Sequence, residues 1–345
     1  MTTDIDRCLM VSMPGTTISP DLAAWLERGL GGVILFGQNI TGPEQLADLV
    51  AELRQHSPDL LIGVDEEGGD VSRLEHPGGS SYPGNLALGE VDDVALTARV
   101  AGSIADLVAA AGISIDFAPV ADVNTNPLNP VIGPRAFGAD PDLVARHTAA
   151  FVEGLQSRGI AACAKHFPGH GGTALDSHLD LPTVERTREQ TTAIDLVPFR
   201  AAVAAGVKMV MTAHVVHPGW DDRPATLSRT IMTDLLRGEL GFDGVIITDG
   251  MRMAAIREGI GCTEGAVQAL SAGVDLLCID LEPGEQWQVR EAIADAVDSG
   301  RLPAARVAEA ARRVDALCGW TDPTPAGPAD RAVGLEAARR ALRVD

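Results

Sequence analysis

No stretch of the 345-residue chain reaches the ~18 consecutive apolar residues that a membrane-crossing helix needs. The opening MTTDIDRCLM has neither the basic segment nor the long apolar segment of a secretory leader, so a cytoplasmic protein is expected. Cysteines are few and scattered. The five (Cys8, Cys163, Cys262, Cys278 and Cys318) are odd in number and show no CxxC or other metal-ligating spacing, which reads as reduced, mostly buried thiols. HExxH is absent. His166, His170, His214 and His217 are spread over separate segments, so no metal is expected. Neither a strand–GxGxxG–helix order nor GxxxxGK[ST] occurs, which removes the usual nucleotide sites. Positive charge is scarce: 27 Lys and Arg against 48 Asp and Glu leave a net charge of −21. That balance argues against nucleic acid or an anionic membrane surface as partner and leaves a small-molecule substrate.

What the chain does have is apolar residues in the right places. They make up 46% of it, enough for a large core without disulfides. Eight short apolar runs recur, at 9–13, 32–36, 60–65, 113–120, 161–166, 208–214, 244–249 and 274–279. Continuous rather than alternating runs suit strands buried on both faces. Helical patterns such as GPEQLADLVAELRQ fill most intervals, and several end in Gly just before the next run. Eight strands alternating with helices predict a single-domain (β/α)8 TIM-type barrel over 1–345, with a doubly wound open sheet as the other architecture. From about 285 to 345 the helical patterns read as C-terminal packing helices, interrupted by TDPTPAGPAD.

Barrel chemistry sits at the C-terminal ends of the strands. Here those ends are polar: Asp65-Glu66-Glu67, Asp122, Lys165-His166, His214, Asp249 and Asp280. Asp249 closes GVIITDG, where it can act as nucleophile, base or ligand, or cap a following helix. Asp176 and His178 have dyad spacing on a Gly-rich loop, or form an Asx-turn beside an exposed histidine. Lys165 is a Schiff-base candidate, a donor to hydroxyls, or a buried partner of a carboxylate. Neighbours on one strand, Lys165 and His166 should face opposite ways unless the chain twists. Arg135, in IGPRAFG, either binds a ligand or braces Asp122. Together these groups make a polar pocket suited to a polyhydroxylated substrate.

KHFPGHGGTALDSHLDLP closely resembles the signature loop of glycoside hydrolase family 3 β-N-acetylglucosaminidases. The resemblance continues in order through VDEEGG, YPGNLALG, FAPVADVNTNP, VIGPRAFG, MTAHVVHPGWDDRPATLS, LRGELGFDGVIITDGM and ALSAGVDLL. It implies a barrel of the single-domain form, no cofactor, and retaining hydrolysis of β-linked N-acetylglucosamine, with peptidoglycan fragments as the usual source. It assigns Asp249 as nucleophile and His178, oriented by Asp176, as acid/base in place of the second carboxylate common among retaining enzymes. Asp65, Arg135, Lys165 and His166 match residues that hold the sugar, with Asp122 and His214 on the pocket floor.

Four positions depart from the commoner pattern. Glu66 stands where Gln is usual, and Asp70 and Gln38 where many relatives have Arg. They are expected to make the mouth more negative and to disfavour an anionic, muramic-type aglycone. Gly250 follows the nucleophile where Asp or a small residue is common, and is expected to widen the pocket. Alternatives are a phosphorylase using the same residues, a β-glucosidase, a sugar sensor, and an aldolase built on Lys165.

Overall fold

The computed structural model describes residues 2–76, 78–175 and 181–343. All eight apolar runs carry parallel strands. They are β1 (Leu9–Ser12), β2 (Gly32–Ile34), β3 (Leu61–Val64), β4 (Ile115–Asp116), β5 (Ala161–Phe167) and β6 (Met209–Thr212). An antiparallel hairpin of β7 (Val216–His217) and β8 (Asp221–Pro224) intervenes before β9 (Val245–Thr248) and β10 (Leu277–Ile279). The eight parallel strands pair in the order β10-β1-β2-β3-β4-β5-β6-β9. A bridge between Ile247 and Leu276, with Thr248 N–H donating to Leu276 O at 3.1 Å, joins the two end strands. The sheet closes into the expected (β/α)8 barrel.

Alternation along each strand sorts side chains between two cores. Met10, Met209, Met211, Val245, Ile247 and Cys278 fill the barrel lumen. Leu9, Val11, Val210 and Ile246 face outward and pack under the surrounding helices. β4 is shorter than the apolar run 113–120 because that run contains Pro119, which has no N–H to give to a ladder. The chain still follows β5 there, with Lys165 N–H donating to Pro119 O at 3.1 Å.

The tail packs as helices Pro283–Asp298, Ala304–Trp320 and Arg331–Ala341. The middle one has a specific task. Its Val314 and Leu317 join the lumen cluster and close the N-terminal mouth of the barrel. Arg306 and Arg313 from the same helix reach the buried Asp275, which Arg237 also holds. The five cysteines are free thiols, with Cys8, Cys163 and Cys278 buried. The β7–β8 hairpin has no counterpart in the expected pattern, because the two residues of β7 and the polar DDRP of β8 leave no apolar run.

Candidate active site

The site gathers at the C-terminal strand ends, and β5 supplies its centre. Along β5, Ala161 and Cys163 point into the lumen while Ala162 and Ala164 point out. Strict alternation would send Lys165 inward and His166 outward. The register instead slips between Ala164 and Phe167, and the Lys165–His166 peptide is cis. Phe167 then packs outside, and both Lys165 and His166 reach strand-end carboxylates.

Lys165 is 2% exposed and its Nζ lies 2.6 Å from both Asp65 Oδ1 and Glu67 Oε1. Burial works against its charge, but Asp65 and Glu67 outweigh burial and hold it above the ordinary lysine range. An ammonium held between two carboxylates is a poor nucleophile, which argues against the aldolase reading. Glu67 was not among the expected site residues, yet it is the hub of this half. It also accepts Arg135 Nε–H at 2.9 Å and Arg135 Nη2–H at 2.7 Å. Burial opposes its ionisation, and Lys165 and Arg135 together still keep its carboxyl well below the usual range. Arg135 therefore braces Glu67, not Asp122. The third carboxylate of DEEGG was the available signal.

Asp122 belongs to the other half. It is fully buried, with Oδ2 2.8 Å from His166 Nδ1, while Oδ1 accepts the His170 N–H at 2.6 Å. His166 and His170 overcome burial and lower its carboxyl pKa. His214, buried two residues past the end of β6, has Nδ1 2.8 Å from Thr226 Oγ1 and Nε2 3.1 Å from Gly250 O. Burial lowers its pKa against the pull of Asp249, which favours neutral imidazole.

Asp249 sits at the tip of β9 with its Oδ1 accepting the Gly250 N–H at 2.8 Å. The next helix starts only at Ala254, so Asp249 does not cap it. Burial disfavours its charge, but His166, His214, the Gly250 N–H and Lys165 outweigh burial and lower its pKa. An ionised carboxylate on a strand end, with imidazoles and an ammonium around it, is poised to attack an electrophilic carbon. Gly250 does not widen the pocket. A Cβ there would lie 2.8 Å from Asp280 Oδ2, so the missing side chain makes room for Asp280.

Asp176 and His178 lie outside the described residues. The loop that leads to them begins in a tightly packed segment. The His217 ring holds Gly169 O at 3.0 Å, and Asn129 Nδ2–H donates to His170 O at 2.9 Å. A Cβ on Gly169 would lie 2.7 Å from Asp195 Cβ, and one on Gly171 would collide with Val123 O. At Gly169 and Gly171 the missing side chain allows this close packing.

The sequence profile described as the glycosyl hydrolase family 3 N terminal domain matches residues 5–317. The chain belongs to glycoside hydrolase family 3. Among family 3 proteins it is similar to, the β-hexosaminidase of Xylella fastidiosa is 40% identical over 280 residues, covering 79% of this chain and 82% of that one. β-Hexosaminidase A of Pseudoalteromonas piscicida is 34% identical over 334 residues, and the chain spans only 55% of its length. A family 3 β-N-acetylglucosaminidase from Paenibacillus sp. superposes over the whole chain and 68% of its own, with TM-score 0.91 and 40% identity. NagZ from Neisseria gonorrhoeae, solved with N-trifluoroacetyl-D-glucosamine, covers 91% of this chain and 98% of its own, with TM-score 0.76 and 30% identity.

Of the departures from the family 3 pattern, only some reach the mouth. Glu66 is fully buried and adds no charge to the surface. Asp70 is exposed and lines a cavity of about 400 Å³ with Arg135, Asn85 and Glu90. Gln38 is exposed as well, and its Nε2–H donates to Met13 O at 3.3 Å. Among the described residues no helix is long and apolar enough to cross a membrane.

Proposed function

We propose that the chain hydrolyses β-linked N-acetylglucosaminides with retention of configuration. In this reading Asp249 is the nucleophile, and the observation that carries it is the place of its carboxyl at the tip of β9, with Oδ1 on the Gly250 N–H and with His166 and Lys165 favouring its charged form. In this reading Asp249 attacks the anomeric carbon and forms a glycosyl-enzyme ester. His178, oriented by Asp176, protonates the leaving oxygen and then takes a proton from the attacking water. Asp65, Lys165, His166 and Arg135 hold the sugar, directly or through Glu67, while Asp122 and His214 fix the floor. The names of the relatives support N-acetylhexosamine as the sugar. Small peptidoglycan fragments as the source, a cytoplasmic setting and a single catalytic domain belong to the same proposal.

Aryl N-acetyl-β-glucosaminide and aryl β-glucoside, each with and without phosphate, test it. The expected result is cleavage of the first, unaffected by phosphate, with loss of about 10³-fold or more in Asp249→Ala and a large loss in His178→Ala. Full activity of Asp249→Ala would sink the mechanism, preference for the glucoside would sink the substrate, and release of sugar 1-phosphate would make the protein a phosphorylase.

A further inference from the structure

Glu66 follows β3, fully buried. Its Oε2 accepts the backbone N–H groups of Arg73 at 2.9 Å and Leu74 at 3.0 Å, which pins the 70–74 segment to the strand end. Its own N–H donates to Asp116 Oδ1 at 3.0 Å, and Asp116, on β4, is fully buried as well. Each carboxyl keeps one oxygen, Glu66 Oε1 and Asp116 Oδ2, buried with no hydrogen-bond partner. The pinned segment carries Arg73, whose Nη2 stands 4.0 Å from Asp65 Oδ2. One backbone anchor therefore connects Glu66 to a carboxylate that holds Lys165.

The charges around the pair decide its state. Glu66 faces Ser72, Glu75 and the Arg73 and Leu74 amides, and Asp116 faces Glu66, Lys165 and Asp65. Lys165 already serves Asp65 and Glu67, and Arg135 serves Glu67. Arg73 leans towards Asp65, so among the described residues neither Glu66 nor Asp116 has an ion pair of its own, and an unmatched buried carboxylate neutralises instead. Burial pushes the Glu66 carboxyl up and the Asp116 carboxyl far up, with acidic neighbours adding to both.

We infer that Glu66 is a positioning residue that works as an un-ionised acid: it holds the Arg73 segment against Asp65 and so sets affinity for the sugar, leaving the bond-breaking rate alone. The inference rests on the reading of Asp65 as a sugar-binding group. Raising the pH ionises the pair and places new, unmatched negative charge beside Asp65 and Lys165, while the amide anchor itself holds.

The test compares wild type, Glu66→Gln and Glu66→Ala from acid to alkaline pH, using aryl N-acetyl-β-glucosaminide and calorimetric binding of N-acetylglucosamine. Glu66→Gln, the isostere of the neutral acid, is expected to stay within about threefold of wild type in KM and kcat at acid pH. It should lack the alkaline rise in KM that wild type shows. Glu66→Ala should raise KM about tenfold with kcat nearly unchanged. An infrared band of a protonated carboxylic acid at neutral pH should weaken in Glu66→Gln. Superimposable KM profiles for wild type and Glu66→Gln, a loss in Gln as large as in Ala at acid pH, or an unaltered infrared band would each overturn the inference. If wild type neither binds nor cleaves the sugar, the substrate reading fails separately. The infrared band and amide exchange of Arg73 and Leu74, expected to quicken in Glu66→Ala and to overturn the anchor if it does not, then still decide the role of Glu66.

Discussion

Replacing Lys165 with Met removes one ammonium and leaves an apolar chain of similar length in its place. In the structure that ammonium is 2% exposed and touches two carboxylates at 2.6 Å each. At an effective dielectric near 20, unit charges at that separation attract by roughly 6 kcal/mol per pair. Desolvation of the three charges cancels most of this, and truncating one partner of such a buried network costs about 3–5 kcal/mol because the remaining carboxylates are left facing each other. Arg135 stays on Glu67 and Arg73 stays near Asp65, which favours the lower end. A melting temperature lower by roughly 4–7 °C is expected in calorimetry. kcat/KM should fall much further than stability alone explains, since Asp249 also loses a cation that keeps it ionised. The double variant Lys165→Met/Glu67→Gln sharpens the test. Neutralising Glu67 should recover part of the lost stability and none of the activity. A single variant that melts with wild type and keeps kcat/KM within about threefold would refute the network account.

His217 is buried, with Nδ1 unpartnered and its pKa lowered to about 4, first by burial. The unfolded chain protonates this ring from about pH 6.5, so His217 contributes stability at neutral pH that is lost as pH falls toward 4, on the order of 3 kcal/mol. Asp195, raised to about 6 mainly by burial, acts in the opposite sense over the same range, so the measurement is the difference between wild type and His217→Asn in acid unfolding. Superimposable curves would contradict the assignment. Gly250→Ala should destabilise by about 1–3 kcal/mol and lower kcat/KM, because the new Cβ meets Asp280 Oδ2; an unchanged melt would show that Asp280 moves freely. In alkylation followed by mass spectrometry, Cys8, Cys163 and Cys278 should react only on unfolding, whereas Cys262 is the first to react in the native protein. Cys318, raised to about 11 by burial, should follow slowly, and early labelling of Cys163 would contradict the packed lumen.

The barrel was legible because its signal is local and repeated. Strands buried on both faces have to be apolar throughout, and each helix has to carry its own stripe and stop, so counting runs gave the architecture. The polar strand ends were legible for the same reason: an Asp or Lys that ends an apolar run stands out. Partnership was not legible. A ligand and Asp122 were the two partners expected of Arg135, and only the closed barrel brings it to Glu67, on the strand end 68 residues earlier in the chain. The facing of Lys165 and His166 depends on a register slip against β6, which no periodicity in β5 itself encodes.

Glu66 shows the division most plainly. The sequence by itself determined that a carboxylate stands beside the candidate sugar-binding Asp65, and as a departure from the family pattern it was expected to add negative charge at the mouth. Tertiary structure decided that it turns inward, because the Arg73 and Leu74 amides need an acceptor and β4 places Asp116 against its backbone. Residue identity fixes what a group can do. Its charge state and its target depend on burial and on neighbours from distant strands, and those exist only once the barrel has closed.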